Sequence, residues 1–231
     1  FPDDFPITRR WPPKDPGAIQ LYAFPTPNGV KASIMLEETG LAYEPHLVTL
    51  ADADVKSPEF LSLNPNNKIP AIIDPNGPDG APIGLFESGA ILIYLAEKSG
   101  RFVGSTASEK YRIIQWLMFQ MGGVGPMFGQ LGFFYRFGGA DIEDARPRER
   151  YINEAKRLLA VLEGELADRD WIAGDYSIAD IALCPWINAL DFYGAKEVVG
   201  WDGLTHVPAW LDRFYARPAV ERGKNIPDRN G

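Results

Sequence analysis

The chain has 231 residues, of which 45% are hydrophobic and 23% are charged, a composition typical of a folded globular protein. A net charge of -8 without a basic cluster argues against nucleic-acid binding. Cys184 is the single cysteine, which excludes a disulfide within the chain, and the two histidines show no metal-ligand spacing. No apolar run approaches the length of a membrane span, and the N-terminus lacks a signal-peptide pattern. We therefore expect a cytoplasmic protein with no metal and no membrane segment.

The N-terminal 17 residues are rich in proline, with Pro2, Pro6, Pro12, Pro13 and Pro16. Proline lacks a backbone N–H and fixes φ, so this density argues against a helix or a central strand. We predict an extended arm over residues 1–17, ordered where it lies against the body of the protein or a second subunit.

Residues 18–101 alternate between strand and helix patterns. Short apolar or alternating runs predict strands at residues 18–24, 43–50, 71–73 and 83–86. Apolar residues at helical spacing, with a glycine after the last turn, predict helices at residues 28–39 and 88–98, and Ser57-Pro58 opens a short one between them. The order β-α-β-α-β-β-α predicts a small open sheet with helices on both faces.

After about residue 104 the strand patterns disappear. Residues 109–137 are helical in character, with a bend expected at the glycines and proline of residues 122–126. Apolar residues three and four apart predict a helix at residues 148–166, and Ser177 with Asp180 forms a capping box that opens another. A last helix is predicted at residues 208–216. We thus expect an all-helical domain over residues 106–222 and a C-terminal tail over residues 223–231.

The segment Thr26-Pro27-Asn28-Gly29 joins the first predicted strand to the first predicted helix. The free N–H groups and the dipole of a helix N-terminus stabilise an anion, and a Thr hydroxyl and an Asn amide add hydrogen-bond donors there. This set suits a thiolate, the nucleophilic form of a thiol. Taken alone, the segment also fits an ordinary turn capped by Asn28, and local sequence favours that interpretation.

Two further segments lie at the ends of predicted strands. Asn67-Lys68-Ile69-Pro70 precedes a buried strand and, by itself, indicates only a loop proline, because few X–Pro bonds are cis. Glu87-Ser88 opens the helix at residues 88–98. A buried acid and a helix N-terminus capped by Ser88 would together suit the ammonium and carboxylate of an α-amino acid, although an ordinary N-cap is the simpler interpretation of this segment alone.

In combination, these segments resemble those of cytosolic glutathione transferases. The matching strings are TPNGVKASIMLEE from Thr26, NPNNKIPA from Asn64 and FESGAILIYLAE from Phe86, with GGVGPM from Gly122 and YSIADIA from Tyr176 in the helical part. The order of these strings agrees with the family along both predicted domains. They are most similar to the nu class, the bacterial disulfide-bond-reductase branch.

The resemblance implies a glutathione transferase fold, with an α/β thioredoxin-like N-terminal domain, an all-α C-terminal domain and a homodimer as the usual assembly. It places the glutathione sulfur near Thr26 and Asn28, which are the expected catalytic residues. The backbone of Ile69 is expected to pair with the cysteinyl part of glutathione, and Pro70 is expected to be cis.

The resemblance also assigns the two ends of glutathione. Glu87 and Ser88 are expected at the γ-glutamyl end, and Asn67 and Lys68 near the glycyl carboxylate. Arg150 resembles an arginine of the helical domain that approaches glutathione in nu-class proteins. An ordinary solvated charge on a helix explains Arg150 equally well.

The implied activity is attack by a glutathione thiolate on a disulfide or an electrophilic substrate, and the Thr26-Pro27-Asn28 segment favours disulfide-bond reduction. Cys184 is expected to be a small core residue. Since the site lacks a cysteine, both reducing thiols would come from glutathione, and the site would also take its disulfide form. Two alternatives stay open: conjugation to, or lyase-type displacement from, hydrophobic aromatic substrates, and a non-catalytic binding or regulatory role.

Overall fold

A computed structural model describes residues 1–229. The strands β1 (Ile19–Ala23), β2 (Tyr43–Leu47), β3 (Ala71–Asp74) and β4 (Ile83–Phe86) form a sheet in the order β2-β1-β3-β4. β1 and β2 are parallel, whereas β3 is antiparallel to both β1 and β4. Each strand was predicted from the sequence to within a few residues.

The α-helices begin and end close to the predicted positions, except those at residues 52–55 and 218–223, which the sequence does not predict. They are α1 (Gly29–Thr39), α2 (Asp52–Val55), α3 (Pro58–Leu61), α4 (Ser88–Ser99), α5 (Ala107–Phe119), α6 (Gly125–Tyr135), α7 (Ala145–Glu165), α8 (Ile178–Tyr193), α9 (His206–Tyr215) and α10 (Pro218–Gly223). A π-helical segment, Gln120–Val124, joins α5 to α6 where the sequence predicts a bend. No helix within residues 1–229 combines the length and apolar character needed to cross a membrane.

Helices cover both faces of the sheet. On one face, Tyr22 and Ile73 belong to a hydrophobic cluster with Val55 of α2 and Phe60 of α3. On the other face, α1 and α4 contact each other, and they also contact β1 and β3 respectively. The two central strands, β1 and β3, therefore lie between two layers and are buried along their whole length.

The N-terminal arm differs from the predicted extended conformation. Pro2–Asp4 and Pro6–Arg9 form short 3-10 helices, because the fixed φ of proline suits the first turn of a helix. Ile7 is fully buried in the cluster around Phe60, and the Trp11 indole N–H donates to the Leu47 carbonyl at 3.1 Å. The arm therefore lies against β2, one of the two edge strands of the sheet.

The chain forms two units whose boundary differs from the predicted one. Residues 1–101 and 218–229 belong to one unit, and Phe102–Arg217 form the other. The prediction placed residues 218–222 in the helical domain, but α10 packs against α1 of the first unit. The Ser33 hydroxyl donates to the Gly223 carbonyl at 2.7 Å, and a Cβ on Gly223 would lie 2.7 Å from the Ile34 Cα. The last helix predicted from the sequence is at residues 208–216, so neither α10 nor the surface on which it packs is predicted.

The second unit is built around α8, most of whose residues are buried. The predicted capping box is confirmed, with reciprocal bonds between Ser177 and Asp180. Asp180 also accepts hydrogen bonds from the Ile172 amide at 3.0 Å and from the Trp210 indole N–H at 2.9 Å. Cys184 is fully buried on the same helix, as expected for a core residue.

Candidate active site

The three predicted site segments meet at one edge of the sheet, where β1 and β4 end and β3 begins. Ala71, the first residue of β3, pairs with Tyr22 of β1 on one side and with Phe86 of β4 on the other. The segment at Thr26 follows β1, the segment ending at Pro70 precedes β3, and Glu87 follows β4. The sheet register thus brings together segments that are far apart in the sequence.

The β1–α1 turn carries Thr26 and Asn28, both half-buried. The expectation that Asn28 caps α1 is wrong, since its side chain makes no capping bond. Thr26 takes that role: its hydroxyl oxygen accepts from the Gly29 amide at 3.2 Å, and its carbonyl accepts from the Val30 amide at 3.0 Å. A hydroxyl that accepts one bond still has its own hydrogen to donate. Thr26 can therefore hold the turn and donate to a ligand at the same time.

The turn is tight at Gly29. A Cβ at this position would lie 1.9 Å from the Phe24 carbonyl oxygen and 3.5 Å from the Ile69 side chain. Only glycine allows this close approach of helix start and strand end. At the same turn, the Arg229 guanidinium donates to the Pro25 carbonyl at 2.9 Å, so residues near the C-terminus also contact the site.

Lys31 is a component of the site that the sequence analysis missed. Its side chain is fully buried, and its ammonium donates to the Asn28 side-chain oxygen at 2.8 Å and to the Ser88 hydroxyl at 3.2 Å. Burial lowers the pKa of Lys31 to about 7, although the nearby charge of Glu87 acts in the opposite direction. The available signal was spacing, because a residue three positions after Asn28 lies on the same helix face.

The segment before β3 has the expected cis peptide bond between Ile69 and Pro70. Asn64, which was also missed as a site component, is buried and shapes this loop. Its side-chain nitrogen donates to the Lys68 carbonyl, and its side-chain oxygen accepts from the Asn66 amide at 2.9 Å. The Lys68 side chain itself is exposed, and Asn67 has a positive φ of 51°.

The segment at the start of α4 differs in detail from its prediction. Glu87 is exposed rather than buried, and it occupies the N-cap position without a side-chain capping bond. Ser88 is buried as the first residue of α4, so its hydroxyl is not the predicted cap. Glu87 has φ 70° and ψ 111°, a sparsely populated conformation for a residue with a side chain.

Backbone strain is concentrated at this edge of the sheet. Within residues 1–229, positive φ in non-glycine residues occurs at Asn67, Glu87 and Phe102. Two of these three residues belong to the predicted site segments. Such conformations persist where the surrounding structure imposes them, and they are common at ligand sites.

Arg150 is the predicted site residue that belongs to the second unit. It lies on α7, and its side chain is exposed. Its approach to glutathione stays a prediction.

Comparisons with known proteins identify the family. Residues 17–97 match the model of the glutathione S-transferase N-terminal domain, and residues 133–218 match that of the C-terminal domain. The chain belongs to the glutathione S-transferase family. The fold and family expected from the sequence are therefore confirmed.

Similar members of the glutathione S-transferase family include a curated bacterial protein and two solved structures. The disulfide-bond oxidoreductase YfcG of Escherichia coli is 44% identical over 87% of this chain and 92% of its own length. A glutathione transferase from Pseudomonas putida, with one glutathione disulfide bound per subunit, has a TM-score of 0.96 and 59% identity, covering 97% of this chain and 98% of that one. One from Burkholderia graminis, with two glutathione molecules bound per subunit, has a TM-score of 0.96 and 62% identity, covering 98% and 95%.

Proposed function

We propose that this protein uses glutathione to reduce disulfide bonds and that it holds one glutathione as a thiolate at the β1–α1 turn. The observation that carries the proposal is a helix N-terminus that presents hydroxyl and amide donors in a unit whose described residues include no cysteine. Thr26 and Asn28 present donors at a helix N-terminus, while Cys184 is fully buried in the other unit. Burial also raises the pKa of the Cys184 thiol well above its ordinary value, which keeps it unreactive.

The residues at the sheet edge fit the chemistry of a γ-glutamyl tripeptide. Ser88 offers its backbone N–H at the start of α4 to the γ-glutamyl carboxylate, and the exposed Glu87 carboxylate can receive the ammonium group. Ile69 precedes the cis bond to Pro70 and lies outside the helices and strands. Its backbone polar groups therefore suit hydrogen bonds to the peptide part of the ligand. Lys68 is exposed and carries the charge needed to attract the glycyl carboxylate.

At the other end of the ligand, α1 stabilises the sulfur as a thiolate. Its N-terminus carries a partial positive charge, and the Thr26 hydroxyl and the Asn28 amide add two donors. Lowering the thiol pKa by one to two units corresponds to about 1.4–2.7 kcal/mol of preferential binding of the thiolate. A few such donors supply interactions of this size.

The reaction consumes two glutathione molecules for each disulfide. One thiolate attacks a substrate sulfur, the substrate S–S bond breaks, and the departing sulfur takes up a proton. The second thiolate then attacks the glutathione sulfur of the mixed disulfide, which releases the second substrate thiol and glutathione disulfide. The two bacterial structures with bound ligands support the proposal, because one contains two glutathione molecules per subunit and the other contains glutathione disulfide.

Parallel assays with two substrates test the proposal. Purified protein and reduced glutathione are mixed with hydroxyethyl disulfide in one series and with chlorodinitrobenzene in the other. We expect catalysed disulfide reduction in which two thiols of glutathione are oxidised per disulfide consumed. Faster conjugation than reduction would instead indicate transferase chemistry. Glutathione binding without turnover in either series would indicate a non-catalytic binding protein.

Alanine substitutions test whether the reaction takes place at the β1–α1 turn. We expect Thr26→Ala and Asn28→Ala each to lower kcat/KM for disulfide reduction at least about tenfold, a loss of roughly 1.4 kcal/mol. Thr39→Ala, at the other end of α1, and Asn225→Ala, at an exposed position, are the matched controls and should keep wild-type kinetics. Unchanged kinetics in both turn variants, with the fold intact, would remove the proposed site.

We also propose a homodimer that acts in the cytoplasm, where reduced glutathione is abundant enough to serve as the reductant. Family membership supports the dimer. Light scattering coupled to size-exclusion chromatography should give a mass twice that of one chain, and a mass equal to one chain would contradict the assembly.

A further inference from the structure

Lys31 is unusual because it is a charged side chain that is fully buried on α1. Lysine is among the residues least often buried, and an ammonium removed from water costs several kcal/mol unless oxygen atoms replace the water. Here the Asn28 side-chain oxygen lies 2.8 Å from the Lys31 nitrogen, and the Ser88 hydroxyl lies 3.2 Å from it. One ammonium therefore connects the residue expected at the sulfur with a residue expected at the γ-glutamyl end.

The chemistry of the ammonium fixes how Asn28 is oriented. A protonated lysine has three donors and no acceptor, so it binds only the oxygen of the Asn28 amide. The opposite amide orientation would place two donors against each other. With the oxygen held by Lys31, the amide nitrogen is the group that Asn28 presents as a donor, and a thiolate needs a donor.

The same reasoning applies to Ser88. Its hydroxyl oxygen accepts from Lys31, so the hydroxyl hydrogen is directed away from the ammonium. A hydroxyl oriented in this way donates to an acceptor on the side opposite the ammonium, and the γ-glutamyl carboxylate is an acceptor of that kind. A single buried charge thus determines the direction of donation at two points of the site.

We propose that Lys31 is the positioning residue that orients the Asn28 amide and the Ser88 hydroxyl as donors toward glutathione. This inference rests on the proposed function. Burial lowers the pKa of Lys31 to about 7, against the opposing influence of the Glu87 charge, so burial disfavours the protonated form of this amine. Perturbed groups of this kind are concentrated at functional sites.

The substitution Lys31→Met tests the role, because methionine keeps an unbranched apolar stem and removes the ammonium. Three quantities are measured: kcat and KM for glutathione in disulfide reduction, and the thiolate fraction of bound glutathione, followed by ultraviolet absorbance as the pH is varied. We expect the thiolate fraction of bound glutathione to fall about tenfold at neutral pH, with a similar fall in kcat. We also expect KM for glutathione to rise, since Ser88 loses its fixed orientation. Lys14→Met, at an exposed lysine of the same unit, should leave all three quantities unchanged.

A double-mutant cycle separates orientation of the Asn28 amide from simple bracing of α1 against α4. If Lys31 acts by orienting that amide, adding Lys31→Met to an Asn28→Ala protein lowers kcat little further, because the donor is already absent. If Lys31 only braces the helices, the two losses in kcat multiply, which would overturn the inference. If Lys31→Met does not fold, the side-chain amide protons of Asn28 are followed by NMR in the wild type. They should shift when glutathione binds, and an unchanged signal would overturn the inference.

Failure of the inference and failure of the proposed function give different results. Wild-type protein that neither binds glutathione nor reduces disulfides would overturn both. An active wild type together with a folded Lys31→Met variant of equal kcat and equal thiolate fraction would overturn the role of Lys31 alone.

Discussion

A methyl group at Gly29 tests how strictly the β1–α1 turn positions the site. In the substitution Gly29→Ala the new Cβ would lie 1.9 Å from the Phe24 carbonyl oxygen and 3.0 Å from the Phe24 carbonyl carbon, and neither backbone atom can rotate away. A tolerated carbon–oxygen contact is about 3.3 Å, so helix and strand must separate by roughly 1.4 Å, the difference between 3.3 and 1.9. Displacements of about 1 Å at a reacting group cost about 100-fold in rate, and overpacking costs about 1–3 kcal/mol of stability.

We therefore expect Gly29→Ala to lower kcat/KM for disulfide reduction about 100-fold and the free energy of unfolding in urea by about 1–3 kcal/mol. The matched control is Gly164→Ala on an exposed turn of α7, where a Cβ meets nothing within 4 Å. The free energy of unfolding of that variant should rise by up to about 1 kcal/mol, because alanine has a higher helix propensity than glycine. Its kinetics should equal those of the wild type. A Gly29→Ala protein with wild-type kinetics and stability would refute the claim that this close approach positions the site.

Two further predictions concern stability and are measured by urea titration. Asp180→Ala should lower the free energy of unfolding by about 3 kcal/mol, because the Trp210 indole and backbone amides lose a buried acceptor. Asp74→Asn should be less stable than wild type at neutral pH, and the difference should begin to shrink as the pH falls below 3.8 and be lost below the lower pKa of the folded protein. Burial raises the pKa of Asp74, but hydrogen bonds from Lys98 and Tyr94 outweigh it and hold the pKa below the ordinary value of 3.8. The stabilisation is thus present above the unfolded pKa and is lost as the pH falls through the folded one.

Exposed aspartates provide the controls for both stability predictions. Asp175→Ala, close to Asp180 in the sequence, and Asp79→Asn, close to Asp74, should each change the free energy of unfolding by less than about 0.5 kcal/mol. A similarly small effect of Asp180→Ala would contradict the first prediction. A stability difference for Asp74→Asn that does not depend on pH would contradict the second.

The sequence predicts the elements of this fold well because their patterns are local. The strands around Leu21 and Ile72 are short apolar runs, and the helices end at glycines, so both are visible within a window of a few residues. The structure and packing of residues 218–223 could not be predicted from a local pattern. These residues form a short helix that the sequence does not predict, and the choice of α1 as its partner depends on the close contact of Gly223 with Ile34, which is separated from it by most of the chain.

The candidate site also depends on contacts between residues that a local sequence pattern does not predict. Motif resemblance brought Thr26 and Asn28 together with Ser88, and the sheet register places their segments at one edge. Neither resemblance nor spacing predicted that Lys31 would be buried between them, because burial of an ammonium depends on the oxygens that surround it in three dimensions. Likewise, Thr26 rather than Asn28 satisfies the first amide of α1, since the turn geometry decides which oxygen reaches it.

The packing of α10 on α1 has a consequence for the order in which the protein folds during its synthesis. Domains generally fold as units as they emerge from the ribosome, the N-terminal one first. Here the unit that begins the chain also needs its last helix, so it can be completed only after the intervening residues 102–217 have been synthesised. A premature stop after Arg217 would leave every residue of the second unit present. The unit translated first would instead be incomplete, because it would lack the Gly223 carbonyl that accepts from the Ser33 hydroxyl on α1.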